Sequence, residues 1–261
     1  MTSPYRSAAA FYASGRPPYS AALVPEVASR LGLDGTGAYL DAGCGPGILT
    51  LMFAPRLASA VGLDPSPDML AAAPPAEGVR WVLGRAEDIP ALGLGPFRLV
   101  TFGQSYQWTD RPLVASIIYD VLTPGGAMAV ISHVPSTSPP PGPDLPPIPH
   151  DAIDDLLARF PGVGQRRQHG SGSAPPRHEV VLAASPFGPP SRIVLAGRAD
   201  LIRTPDDILA NLYSTSFAAP DRFGERRAEF EQELRTLLAR HSPDGRFWEW
   251  PGDTEVLLAV R

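Results

Sequence analysis

Short apolar runs alternate with longer segments of helical spacing through the first half of the chain. Ala38–Leu40, Ala60–Leu63, Val79–Leu83, Phe97–Gly103 and Ala127–Ser132 are too short for helices and largely apolar, so they read as strands. Ala21–Leu31, Ile48–Leu57, Pro67–Ala73 and Pro112–Leu122 read as helices. Ser20 stands as N-cap of the first, with Pro25 near its first turn, and Pro55 is expected to cut the second short. Strands that alternate with helices in this way form βαβ units around a parallel sheet.

After Ser132 the rhythm breaks. His150–Phe160 reads as a short helix, Gly162–Pro176 as a polar loop and Ser191–Gly197 as an alternating strand. Thr204–Tyr213 is a helix with Thr204 as cap and Pro205 at its first position. Asp221–His241 is a longer charged amphipathic helix whose Arg226, Arg227, Glu229, Glu231, Glu233 and Arg235 describe a solvated face. Gly245–Trp250 and Thr254–Val260 are read as strands that rejoin the core. The fold class that results is α/β: a doubly wound, mostly parallel seven-stranded sheet with a cap inserted after the fifth strand.

Composition narrows the chemistry. All 22 basic residues are arginine, so a Schiff-base lysine, a P-loop lysine and a lysine general base are excluded together. Proline is 32 of 261 residues, more than twice the usual share of about 5%. The dense run Pro135–Pro149 reads as a stiff surface connection. A net charge of −5 argues against a nucleic-acid partner, which needs clustered cation. No apolar run reaches the 18 residues of a membrane span. The start is broken by Arg6, Arg16 and prolines, unlike a secretory signal, and the single Cys44 cannot form an internal disulfide. A cytoplasmic location is expected from these two features.

The most informative segment is Tyr39-Leu-Asp-Ala-Gly-Cys-Gly-Pro-Gly47, a glycine cluster between a strand and a helix. It reads either as a close-approach cradle for a ligand or as a tight strand-to-helix turn and nothing more. The dinucleotide fingerprint G-x-G-x-x-G/A fits poorly, because its last position is Ile48. Asp41 would repel a pyrophosphate and welcome a cation. Asp64 ends the next strand, where an acid in a doubly wound fold accepts hydrogen bonds from ribose hydroxyls; as Asp64-Pro-Ser-Pro-Asp68 it also reads as a helix cap.

Leu40-Asp-Ala-Gly-Cys-Gly-Pro-Gly47, Gly62-Leu-Asp-Pro-Ser-Pro-Asp-Met-Leu70 and Gly84-Arg-Ala-Glu-Asp-Ile-Pro90 resemble three consecutive nucleoside-binding motifs of class I S-adenosylmethionine-dependent methyltransferases. They are similar in particular to the bacterial small-molecule branch that includes trans-aconitate and natural-product methyltransferases, as is the leading Phe11-Tyr-Ala-Ser-Gly-Arg-Pro-Pro-Tyr19. The resemblance covers about the first half of the chain. It implies a Rossmann-like methyltransferase fold with S-adenosylmethionine as co-substrate. The chain would divide into a helical segment at 1–34 that closes the site, a cofactor-binding core at 35–132, a cap at 133–244, and strands at 245–261 that complete the sheet.

The resemblance also implies roles for particular residues. Gly43, Cys44 and Gly45 approach the methionyl and ribose parts, and Asp41 holds the methionyl ammonium. Asp64, with Pro65 beside it, takes the ribose hydroxyls. Met69 and Ala86 flank the adenine, with Glu87 near its exocyclic amine, and Gly103 and Gln104 line the methionyl end. Arg16, Tyr12 and Tyr19 close the site, although both tyrosines also read as packing residues.

Methyl transfer from a sulfonium is an in-line displacement with a neutral leaving group, so the site must supply alignment and exclude water. Positioning is worth about 7–11 kcal/mol and a general base roughly 3–5 kcal/mol. Tyr106, Gln107 and Trp108 follow the fourth strand at the edge where acceptors sit. The family often carries a His-Trp pair there; Gln107 cannot act as a base, and Trp108 reads equally as pocket wall or core. His133, after the fifth strand, is the best-placed base and acceptor contact; His150, His169, His178 and His241 rank lower. No Cys/His cluster has zinc spacing, so no metal is expected.

The expected activity is methyl transfer to a small organic molecule, with oxygen as acceptor atom, in bacterial secondary metabolism. N-methylation, or a different reaction such as a cyclisation on the same cofactor-binding fold, stays open. A nicotinamide oxidoreductase is disfavoured by Ile48. The partner is then a small-molecule acceptor, with no nucleic acid and no membrane, and no residue pattern speaks to oligomeric state.

Overall fold

The computed structural model describes residues 7–134, 140–163 and 177–261. Nine strands are present among them: β1 (Ala38–Ala42), β2 (Ser59–Asp64), β3 (Val79–Leu83), β4 (Phe97–Gly103), β5 (Leu122–Val134), β6 (Ser191–Leu195), β7 (Ile202–Arg203), β8 (Phe247–Trp248) and β9 (Asp253–Val260). Seven of them form one sheet in the order β3-β2-β1-β4-β5-β9-β6. The first five are parallel, and β9 runs antiparallel to both its neighbours. The order reverses between β1 and β4, the switch point at whose carboxyl edge ligands bind in doubly wound sheets. The expected fold class is therefore the observed one.

The helices are α1 (Ala9–Gly15), α2 (Leu23–Leu31), α3 (Ile48–Phe53), α4 (Pro67–Ala71), α5 (Arg111–Val121), α6 (His150–Leu157), α7 (His178–Ala183), α8 (Pro205–Tyr213) and α9 (Arg227–His241). Pro55 ends α3 as expected, and the chain continues as a 3₁₀ turn over Ala54–Arg56. Thr204 and Asp207 form a reciprocal capping box at the start of α8. Ser20, expected to cap α2, lies outside it: the helix starts at Leu23, and the Ser20 N–H donates to Thr254 Oγ1 at 2.9 Å.

The chain divides into two units. The sheet unit holds Tyr19–Pro135, Pro175–Gly197 and Asp253–Arg261; the helical unit holds Met1–Pro18, Ser136–Ala174 and Arg198–Gly252. The boundaries read from the sequence, at 34, 132 and 244, differ in three ways. α2 packs its Leu23, Val27 and Leu31 into the core of the sheet, so it belongs there rather than to an N-terminal segment. β6 lies in the sheet, not in the cap. β8 pairs with β7 in a separate two-stranded ribbon, because Pro251 and Gly252 break the chain before β9. Within Gly162–Pro176 and Pro135–Pro149, residues 164–176, with His169, and 135–139 lie outside the described residues.

In the sheet unit the side chains alternate between two cores, as strands covered on both faces require. Leu40, Val61, Leu63, Val100, Phe102, Met128 and Val130 face α5 and α7, with Val114, Ile118 and Leu182. Tyr39, Ala60, Leu99, Ala129 and Ile131 face α2 and α3, with Val27, Leu49 and Phe53. In the helical unit Phe160, Tyr213, Phe223 and Phe230 form an aromatic centre, the last pair stacked at 4.2 Å. α1 meets α8 so closely that a Cβ on Gly15 would sit 2.3 Å from the Ala210 carbonyl oxygen.

Candidate functional site

The end of β1 passes into the glycine turn, where Gly43, Gly45 and Gly47 all have positive φ (70°, 55° and 89°). Only glycine takes three such conformations so close together without strain. The turn is laced to the end of β2. The Gly43 and Cys44 N–H groups both donate to the Leu63 carbonyl, at 2.7 and 3.0 Å. The Gly45 N–H donates to Asp64 Oδ2 and the Ser66 N–H to Asp64 Oδ1, each at 2.8 Å. The segment after β4 presses on the turn from the other side: a Cβ on Gly43 would fall 2.5 Å from that of Ser105, whose hydroxyl donates to the Ala42 carbonyl.

Two carboxylates serve this turn, and neither meets a cation among the described residues. Asp64 is 8% exposed; burial raises its pKa, and the two amides pull it back. Asp41 is 1% exposed on the α3 face, accepting from the Thr50 hydroxyl (2.7 Å) and the Thr101 hydroxyl (2.8 Å). The Tyr39 hydroxyl lies 2.6 Å from Thr101 Oγ1 and extends the network. Burial pushes the Asp41 carboxyl up to about 6 despite both threonines. Negative charge is thus held beneath the turn by neutral donors only.

The other cofactor candidates fall around this centre. Met69 and Ala86 are buried, at the start of α4 and in the turn after β3, while Pro65 is exposed. Burial would raise the Glu87 carboxyl, but the Asp110 N–H (2.9 Å) and the Arg85 guanidinium (3.3 Å) outweigh it and hold it below its usual range. The Cys44 thiol donates to the Gly45 carbonyl, and burial drives its pKa well up, so it fills space and is no nucleophile.

At the ends of β4 and β5 a second group assembles. Tyr19 stacks flat on His133, ring centroids 4.8 Å apart and planes 6° from parallel. The Tyr19 hydroxyl lies 3.0 Å from where a Cβ on Gly103 would be. Gln104 takes the left-handed conformation, φ 55°, unusual for a residue with a side chain, and its N–H donates to the Ile131 carbonyl. Its carbonyl accepts from the Gln107 side-chain amide at 2.7 Å.

Two expectations for this segment need correction. Tyr106, read as a substrate contact, is fully buried against Phe102, and its hydroxyl donates to the Arg111 carbonyl. It is a core residue. Trp108 is 66% exposed, which removes core packing as its reading. Tyr12 and Arg16 lie in the helical unit, where the Arg16 guanidinium stacks on the Tyr12 ring at 4.7 Å and donates to the Ser214 carbonyl at 2.9 Å. Among the other histidines, His178 Nδ1 meets the Arg111 guanidinium at 3.3 Å; burial, then that cation, lowers its pKa, so it is held neutral.

Sequence reading missed Thr50, Thr101 and Ser105. Thr101 carried a signal, as the polar interruption of an otherwise apolar strand; Thr50 and Ser105 carried none. Among the described residues no group of three or more potential metal ligands comes together.

A glycine turn at the switch point, with an acid ending the next strand, is the arrangement with which doubly wound sheets receive nucleoside ligands. Residues 40–126 match the family described as "Methyltransferase domain". The chain is 32% identical over 139 residues to the uncharacterized methyltransferase Rv3342 of Mycobacterium tuberculosis, a match that covers 50% of this chain and 52% of that protein. A Mycobacterium bovis protein, Mb3374, matches equally. The chain spans about half the length of these curated relatives. Among solved structures, a putative type II methyltransferase from Anaeromyxobacter dehalogenans aligns over 94% of this chain and 96% of its own, at TM-score 0.52 and 23% identity. A putative methyltransferase from an antibiotic biosynthesis pathway of Anabaena variabilis aligns over 95% and 100%, at TM-score 0.56 and 13% identity, a likeness of fold. Segment 40–126 thus matches a methyltransferase domain, and the chain shares its fold with putative methyltransferases.

Proposed function

We propose that this protein transfers a methyl group from S-adenosylmethionine to an oxygen atom of a small organic molecule. The acceptor is of the kind modified in bacterial secondary metabolism, following the branch that its motifs resemble. One observation supports the reading above others: Asp41 and Asp64 are buried beside a glycine turn and balanced by hydroxyls and amides, with no arginine at either among the described residues. That leaves room for a ligand bringing its own positive charge.

S-adenosylmethionine, when bound, supplies a methyl group on a sulfonium with a neutral leaving group. Asp64 has a lone pair left on each oxygen for the ribose hydroxyls once the Gly45 and Ser66 amides are satisfied. Asp41 favours the methionyl ammonium by charge from beneath the turn. Met69 and Ala86 supply the apolar walls for the adenine, with Glu87 at its rim. Gly103 and Gln104 line the methionyl end. His133, its ring fixed by the stack on Tyr19, accepts the proton of the acceptor hydroxyl. Trp108 and Gln107 offer contacts to the acceptor's body.

The test is release of S-adenosylhomocysteine by purified protein given a panel of hydroxyl-bearing and amine-bearing acceptors. A hydroxyl-bearing acceptor is expected to drive release, and His133→Gln to lower kcat about 10²–10⁴-fold with the KM for S-adenosylmethionine unchanged. Binding of the nucleoside without release under any acceptor would overturn methyl transfer in favour of another reaction.

A further inference from the structure

The indole of Trp81 explains two glycines at once. Trp81 on β3 is the register neighbour of Gly62 on β2, and both belong to the face that carries α3. A Cβ on Gly62 would fall 2.3 Å from Cζ3 and 2.4 Å from Cε3 of that ring; a Cβ on Gly47 would fall 2.3 Å from Cη2. The ring therefore lies across β2, over the bare Gly62, and ends against the last glycine of the turn. Gly47 needs glycine for its φ of 89° in any case, but Gly62 has no positive φ, so its backbone would accept alanine. The ring is what demands glycine there. Trp81 Nε1–H also donates to the Pro74 carbonyl at 3.2 Å, which ties the ring to the segment before β3.

We propose that Trp81 is a positioning residue: its indole props the glycine turn and sets the distance between that turn and the strand that ends in Asp64. The inference rests on the reading of the turn as a nucleoside cradle. Asp64 follows Gly62 by two residues, and its carboxylate is bonded to Gly45 inside the turn. Removing the ring leaves the turn without its support against β2 and free to shift, which disturbs the Asp64–Gly45 contact and spoils the spacing of the ribose and methionyl contacts. Misplacement on the scale of about 1 Å is enough to cost large factors in a preorganised site.

The test has two readouts. The first is hydrogen exchange of the Gly43–Gly47 amides in ligand-free protein. Trp81→Ala is expected to speed it at least about tenfold, with Trp81→Phe between that variant and the native protein. Ile118→Val, a loss of packing on the opposite face of the sheet, is expected to leave it unchanged. The second is calorimetric affinity for S-adenosylhomocysteine. Trp81→Ala and Gly62→Ala are each expected to weaken it about tenfold, and the double variant to be no weaker than Trp81→Ala alone, because both act through one ring. Unchanged exchange in Trp81→Ala, equal loss in Trp81→Phe and Trp81→Ala, or additive losses in the double variant would overturn the proposal. If the native protein did not bind the nucleoside at all, the reading of the cradle would fail, and the exchange measurement would still decide whether the ring props the turn.

Discussion

Two buried acid sites, one in each unit of the chain, are balanced in opposite ways. In the helical unit Glu249 meets Arg203 at 2.6 Å, the two side chains 15% and 7% exposed, and Arg203 donates further to the Gly15 carbonyl. Several of its outer acids are paired as well, in Arg159–Glu233, Arg227–Glu231 and Arg235–Asp206. In the sheet unit Asp41 and Asp64 are as deeply placed, yet hydroxyls and backbone amides are what hold them. A chain whose 22 basic residues are all arginine had cation enough to neutralise both. The sheet unit does pair other acids with arginine, as in Arg192–Glu255, so the contrast is local: at the glycine turn the negative charge meets no cation among the described residues.

Substitutions can break the contrast. The largest effect is expected from Arg203→Met, which strands the Glu249 carboxylate in a buried place. A loss of about 3–5 kcal/mol in urea denaturation is expected, and a loss below about 1 kcal/mol, the level of a surface pair, would mean that the pair is effectively solvated.

Asp41 should show the reverse behaviour, through pH. Its folded pKa of about 6 lies above its ordinary value of 3.8, so the folded state holds the proton more tightly. Stability from this source is fully present below about pH 4 and is lost as the pH rises to about 6, amounting to about 3 kcal/mol. Asp41→Asn should flatten that loss in denaturation curves taken across the interval, and an unchanged pH slope would place the carboxylate in water. Gly15→Ala comes next. Its added methyl meets the Ala210 carbonyl of α8, and about 1–3 kcal/mol of overpacking is expected from the same denaturation measurement. Arg159→Ala, which breaks an exposed pair with Glu233, should shift stability by no more than about 0.5 kcal/mol.

Much of the sheet unit was legible because its signals are local. β3 and β4 have the bounds that their apolar runs suggest, and the glycine turn and Asp64 stand where strand ends put them. What escaped depends on partners distant in sequence. The run around Phe247 looks the same whether it joins the large sheet or a two-stranded ribbon; only the break at Pro251 and Gly252 and the partner Ile202 decide. The single 3₁₀ turn at Tyr106–Trp108 sends the tyrosine inward and the tryptophan outward, a choice that spacing over three residues cannot express. Helix α7 spans six residues, too few to show a period. The Trp81–Gly62 relation exists only through strand register.

Calorimetric titration of S-adenosylmethionine into native protein and Asp64→Ala, at matched salt and pH, tests the central idea most directly. The native protein should bind, and the variant should lose most of that affinity, because the alanine can neither accept from the ribose nor hold the Gly45 amide. Equal affinity in the two proteins would contradict the assignment of this carboxylate, and with it the view that uncancelled negative charge beside bare peptide is what receives the ligand.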